Sequence, residues 1–213
     1  MTVKTRTCLL LGAVLSAVAL LGIACGGGSS GGGSTEGTAT PLTTCKPASA
    51  PVFGTPIVGA GEQIYESTDL GYSVVYPDTW KAAPQLANYQ NIFGDTFFSP
   101  DTSGDVQPNI TITCETIPVG GDTSAYVDYR RAVLQQLLEA SPDSAASVTV
   151  DGKDAIFWHY KIGSNKTSSV IDKIEVLFAD GRGGWMISLI APEGHLSDYK
   201  PVLDAALASF HEH

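Results

Sequence analysis

The stretch from Ser147 to Ala191 constrains this chain more than any other, because it reads as two β-hairpins in succession. In the first, Ser147 to Val150 runs into Asp151-Gly152 and returns through Ala155 to Ile162. An Asp-Gly pair suits the two-residue turn that needs positive φ at both central positions. Ile156, Trp158, Tyr160 and Ile162 then share one face of the returning strand, and Phe157, His159 and Lys161 take the other. The second hairpin joins Asp172 to Phe178 with Trp185 to Ala191 around Asp180-Gly181-Arg182-Gly183-Gly184, and Pro192 closes it. Hairpins pair antiparallel, so the chain is committed to an antiparallel sheet.

The upstream residues supply more strands. Gln63 to Glu66 and Tyr72 to Tyr76 flank a Thr68-Asp69-Leu70-Gly71 turn, with Tyr72, Val74 and Tyr76 on one face and Pro77 as the stop. Asp78-Thr79-Trp80 reads as a turn or a short helical start. Ile92 to Phe98 is a strand. Asn109 to Glu115 is another, with Ile110, Ile112 and Cys114 inward and Thr111, Thr113 and Glu115 outward. Two helices follow from 3.6-residue spacing. The first is capped by Asp122, Thr123 or Ser124 and carries Tyr126, Tyr129, Val133, Leu134, Leu137 and Leu138 on its apolar side. Arg130, Arg131, Gln135, Gln136 and Glu139 fill its other side, and Ser141-Pro142 stops it. The last helix begins near Ser197-Asp198 and ends at Phe210, with a stripe of Tyr199, Val202, Leu203, Ala206, Leu207 and Phe210. Pro201 fits there only if it falls in the first turn. Two amphipathic helices need a sheet to cover, so the expected class is α+β: an antiparallel β-sheet flanked by helices in an αβα sandwich.

The amino terminus specifies an address. Lys4 and Arg6 precede an uncharged apolar run from Cys8 to Ala24, the layout of a secretory signal. The run ends in Leu21-Gly22-Ile23-Ala24-Cys25, which resembles a bacterial lipobox, with Gly22 where that pattern usually has Leu. The apolar run is at the short limit for a membrane span, and Gly26 onward has no stop-transfer charge. The expected organisation is a signal peptide over 1–24, and a lipidated Cys25 with a Gly/Ser-rich tether over 25–44. An extended lead-in over 45–61 and one domain over 62–213 complete it. Acyl chains on Cys25 would hold the protein in the cell membrane or outer membrane, at about 0.8 kcal/mol per buried methylene, with the domain outside the cytoplasm. A coil of that tether's composition spans about 25 Å. Loss of Lys4 and Arg6 with the signal leaves 10 basic against 22 acidic residues, a formal charge of -12. That balance argues against a nucleic-acid partner.

Three motifs resemble the PsbP-like superfamily. They are Gly71-Tyr72-Ser73-Val74-Val75-Tyr76-Pro77-Asp78-Thr79-Trp80, then Val150-Asp151-Gly152-Lys153-Asp154-Ala155, and the closing helix from Tyr199 to Phe210. That superfamily includes the lumenal extrinsic subunit of photosystem II, a Ran-binding nuclear import factor, and bacterial lipoproteins of the LpqN and DcrB groups. The resemblance implies an αβα sandwich and proteins that bind or support other assemblies. It implies no activity and no shared catalytic residues.

Gly-x-Ser-x-Gly spacing occurs only inside the Gly/Ser tether, at 27–32, with no strand before it to make an elbow, and no metal-ligand spacing or phosphate loop occurs, so no catalytic residue, metal or cofactor is assigned. Asp101-Thr102-Ser103-Gly104-Asp105 reads as an Asx-rich loop rather than a calcium site. His211 and His213 fall in a frayed terminus, His159 packs across strands, and His195, just before a helix, is the best single candidate for a ligand or pH-sensitive contact. Cys45 and Cys114 leave two alternatives: they pair in an oxidising compartment, or Cys114 is a buried apolar thiol. The leading expectation is a non-enzymatic, membrane-tethered accessory domain that meets a cell-envelope protein or ligand. The rival is a lipid or small-molecule carrier, or a hydrolase-like enzyme, with a pocket under the sheet lined by Tyr72, Trp80, Trp158 and Trp185. The oligomeric state is left open.

Overall fold

The computed structural model describes residues 40–54, 57–89, 92–138, 140–163 and 169–213. The expected signal peptide, Cys25, most of the expected tether and Glu139 lie outside the described residues. Ten strands and two helices follow in the order β1 (Glu62–Ser67), β2 (Tyr72–Pro77), β3 (Lys81–Tyr89), β4 (Ile92–Phe98), β5 (Asn109–Glu115), α1 (Thr123–Leu138), β6 (Ser144–Val150), β7 (Lys153–Gly163), β8 (Val170–Ala179), β9 (Gly184–Pro192), α2 (Leu196–Ser209) and β10 (His211–Glu212). Seven strands form one antiparallel sheet in the order β3-β4-β5-β9-β8-β7-β6, and β1-β2-β10 form a second, smaller sheet. The small sheet and α2 cover one face of the large sheet, and α1 covers the other. This is the expected α+β class.

The hairpins form around the residues that demand them. Asp151 and Gly152 take φ of 48° and 72°, and the β6–β7 register runs from Val150↔Lys153 outward. β8 pairs with β9 from Ala179↔Gly184 to Ile171↔Pro192. Asp122 Oδ1 accepts the Ala125 N–H at 2.8 Å and so caps α1.

Several expectations change. Lys81–Tyr89 is an edge strand, not a continuation of the turn at Trp80. Its alanines carry little β signal, and Pro84 is tolerated because β3 is paired on one side only and shifts register between Ala83 and Ala87. His211 and Glu212 are not frayed: they form β10 against Ser73 and Tyr72. α2 starts at Leu196, so Pro201 lies in its second turn, deeper than expected. The outward face of β5 is not outward at all, because α1 lies over it and leaves Thr113 and Glu115 buried. The same helix turns Arg130 inward, while Tyr129 is 43% exposed. The buried row of α1 is Tyr126, Val127, Arg130 and Leu134, at one-turn spacing.

The two faces of the large sheet carry separate cores. Under α2 and the small sheet lie Tyr72, Val74, Phe97, Ile110, Ile112, Phe178, Trp185, Ile187, Leu203 and Phe210. Aromatic rings meet edge-on there: Tyr72 with Trp185 at 6.0 Å, and Trp185 with Phe210 at 5.6 Å. Under α1 lie Ile117, Tyr126, Leu134, Trp158, Tyr160 and Leu177. Cys45 and Cys114 are joined by a disulfide with Cα atoms 5.7 Å apart. Gly183 sits against both sulfurs, where a Cβ would fall 2.5 Å from Cys114 Sγ. The chain is already docked ahead of the disulfide, within the stretch assigned to the tether. Thr43 exchanges hydrogen bonds with Ile117, and the Val119 N–H donates to the Pro41 carbonyl at 3.0 Å. Among the described residues no helix is long and apolar enough to cross a membrane.

Candidate functional site

Two polar clusters stand out against this apolar frame. The first lies between α1 and the large sheet. Glu175 is fully buried on β8, on the same face as Leu177. Lys173 Nζ lies 2.7 Å from its Oε1, and Arg130 reaches the same oxygen at 3.4 Å. Arg130 also lies 3.8 Å from Glu115, which accepts hydrogen bonds from the Tyr126 and Tyr129 hydroxyls at 3.3 and 3.0 Å. Burial pushes Glu175 up, but Lys173 and Arg130 outweigh it and bring the carboxyl down to about 2. Burial, then Glu175, push Tyr160 well up, and burial with Glu115 lifts Tyr129 to about 12. At neutral pH Glu175 therefore stays ionised and these tyrosines stay protonated. Two cations face two carboxylates, so the buried charge is balanced and turned on itself.

The second cluster gathers where the chain leaves the tether. Arg182, in the β8–β9 turn, accepts the Cys45 N–H with its carbonyl at 2.9 Å and donates from its guanidinium to the Gly71 carbonyl at 3.4 Å. Its guanidinium lies 5.0 Å from the Trp185 ring centre. Glu212 sits among Lys153 at 2.8 Å, Arg182 at 3.7 Å and Asp180. Burial and the Asp180 carboxyl raise Glu212 to about 7, and Lys153 only partly offsets them. Asp151 receives the Glu212 N–H at 3.1 Å and pairs with His211 at 2.8 Å. A hydroxyl and an imidazole also meet: Ser73 Oγ and His213 Nε2 are 3.0 Å apart. His213 also meets the Val52 backbone, and burial and His211 push its pKa down. Ser73 is buried in the small sheet and His213 is half-buried, so the pair fastens the end of the chain to β2.

The residues singled out from sequence do not converge. His195 caps α2 on the surface, with Nδ1 3.0 Å from Asp198, and is 62% exposed. His159 lies 3.5 Å from Asp172 and 3.9 Å from Asp143, a position on the rim of the sheet. Asp101 spends its oxygens on Ser103 and on the Tyr199 hydroxyl at 2.9 Å. The pocket of four aromatic residues is split: Trp158 packs under α1, while Tyr72, Trp80 and Trp185 pack on the opposite face. Tyr72 meets a carboxylate instead, donating to buried Asp95 Oδ2 at 2.7 Å. Arg130 and Glu175 were missed, although Tyr126, Arg130 and Leu134 recur every fourth residue and Glu175 interrupts an apolar strand.

The layering of a large antiparallel sheet between α1 and an α2–small-sheet layer is the PsbP-like fold. The chain is similar to the solution structure of cyanobacterial PsbP (CyanoP) from Synechocystis sp. PCC 6803, at 17% identity and a TM-score of 0.52, over 76% of this chain and 98% of that one. It is similar too to LpqN of Mycobacterium tuberculosis, described as involved in cell envelope biogenesis, at 12% identity and a TM-score of 0.52, over 70% of this chain and 88% of that one. No protein-family model and no curated protein sequence matches the chain.

Proposed function

We propose that this protein is a lipid-anchored accessory protein of the bacterial cell envelope, held in the membrane through Cys25, that works by binding and not by catalysis. The observation that carries the non-enzymatic half is the pairing of its buried charges with one another. Arg130, Lys173, Glu115 and Glu175 neutralise one another under α1, and His213 bonds Ser73 of the small sheet. A catalyst instead aims such groups at a space that substrate can enter. The anchoring half rests on the lipobox-like Leu21–Cys25 and on a disulfide that suits an oxidising compartment. LpqN, similar in fold, is described as involved in cell envelope biogenesis, which suits an envelope address. Carrier and hydrolase readings lose the pocket on which they leaned, since its four aromatic walls belong to two separate cores.

The test follows the anchor and the partner together. Cells expressing the full chain are fed radiolabelled palmitate and fractionated, then crosslinked in intact envelopes. The wild-type chain takes up label, sediments with membranes and yields a reproducible envelope-protein adduct. Cys25→Ser loses the label and the sedimentation. An unlabelled wild-type chain would sink the anchor. Ester hydrolysis by the purified domain that is abolished by Ser73→Ala would sink the non-enzymatic reading.

A further inference from the structure

The tether meets the domain at an apolar corner. Leu42 forms an isolated bridge with Pro118, and Val119 bonds back to Pro41, so Leu42 and Val119 are neighbours across that bridge. They are 51% and 60% exposed. On α1, Tyr129 is held by its hydroxyl to Glu115, two residues before Ile117, and is 43% exposed. Each of the three is braced from behind. Thr43 and Ile117 lock the bridge, the disulfide follows at Cys45, and Tyr129 packs on Tyr126 with ring centres 6.5 Å apart. Rigid apolar side chains that face outward cost little conformational entropy to dock.

We infer that this corner, Leu42, Val119 and Tyr129, rests on the lipid bilayer that holds the protein's own anchor, so that the domain sits on the membrane in one orientation. This rests on the proposed anchoring at Cys25. Fourteen residues separate Cys25 from Thr40, and the docked chain begins at Pro41, next to the corner. A coil of that length spans about 20 Å, so the corner is always within reach of the surface. A tethered contact is intramolecular and works against a millimolar effective concentration, so a small apolar patch suffices where a free protein would need a large one. The acidic surface fixes the character of the contact. A chain of formal charge -12 is not drawn to anionic lipid by charge, so the contact is apolar and survives salt.

The experiment uses the full lipidated chain purified from membranes and reconstituted into phosphatidylcholine–phosphatidylglycerol vesicles, with and without bromine on the acyl chains. Tryptophan reporters are placed at the corner (Val119→Trp) and at the far end of the sheet (Ser103→Trp), and the quenching of wild type is subtracted. The expected result is severalfold stronger bromine quenching at 119 than at 103, unchanged in 1 M salt. Adding Leu42→Ser to Val119→Trp lowers it to the level at 103, and Leu42→Ile preserves it. An acylated chain whose two reporters quench equally overturns the docking and leaves the anchor intact. A chain recovered without acyl groups, read by intact mass, removes the anchor and this inference with it. A dimer of the Cys25→Ser chain in sedimentation that Leu42→Ser dissolves would assign the corner to a second copy and overturn the lipid contact.

Discussion

The two faces of the large sheet solve the same packing problem with different materials. Beneath α2 and the small sheet, rings and aliphatic side chains close on one another, and buried Asp95 is bonded to Tyr72. Beneath α1 the same sheet presents Glu175, Lys173 and Glu115, and the helix answers with Arg130. Burial of apolar area is non-directional and tolerates small shifts. A buried ion pair is directional, and each partner is costly without the other. The α2 side should therefore dominate stability, and the α1 side should dominate how uniquely its helix is seated.

The largest effect should come from the apolar side. Trp185→Ala removes a fully buried ring and should destabilise the domain by about 3–5 kcal/mol in chemical denaturation, with little dependence on pH. Arg130→Ala should cost about 3–4 kcal/mol, because it leaves buried Glu115 without its cation and Glu175 with Lys173 alone. Replacing Arg130, Lys173, Glu115 and Glu175 together with Met, Met, Leu and Leu should recover most of that loss. If the quadruple variant stays as unstable as the single, the charges contribute more than position. Asp122→Ala, which removes the α1 cap, should cost about 1 kcal/mol, seen as a small drop in the urea midpoint.

Acidity separates the clusters in sign. Glu175 is held below its ordinary value, so its contribution is complete above about pH 4.5 and disappears as pH falls toward 2. Glu212 is held above its ordinary value, so its contribution is complete below about pH 4.5 and is lost as pH rises through 7. Thermal melts from pH 5 to 8 should fall gently for wild type and run flatter for Glu212→Gln. An unchanged slope would mean that Glu212 is not the group responsible. This is the smallest of the expected effects.

Much of the architecture could be read from local pattern. β4 and β5 begin and end where their alternation says, and both long hairpins turn at their Asp and Gly residues. Those signals are complete within a few residues. β3 was illegible because an edge strand needs only one partner and tolerates Ala and Pro. β10 was illegible because two residues carry no period. Arg130 misled for a different reason. Its charge reads as solvent-facing until Glu175, forty-five residues later, is brought beneath it. Of the candidate residues, His195 lies at a helix start and pairs with Asp198, while the groups that do converge come from separate strands and a helix.

The Cys45–Cys114 bond also decides where mechanical load enters. Tension arriving along the amino-terminal strap reaches Cys45 and crosses the sulfur bridge into β5, which is hydrogen-bonded on both sides by β4 and β9. The stretch between Cys45 and β1 is bypassed, so a tug does not peel the small sheet away strand by strand. Through the anchor proposed at Cys25, load would enter at β5, inside the seven-stranded sheet, and reduction of that bridge would send it first to the smaller sheet.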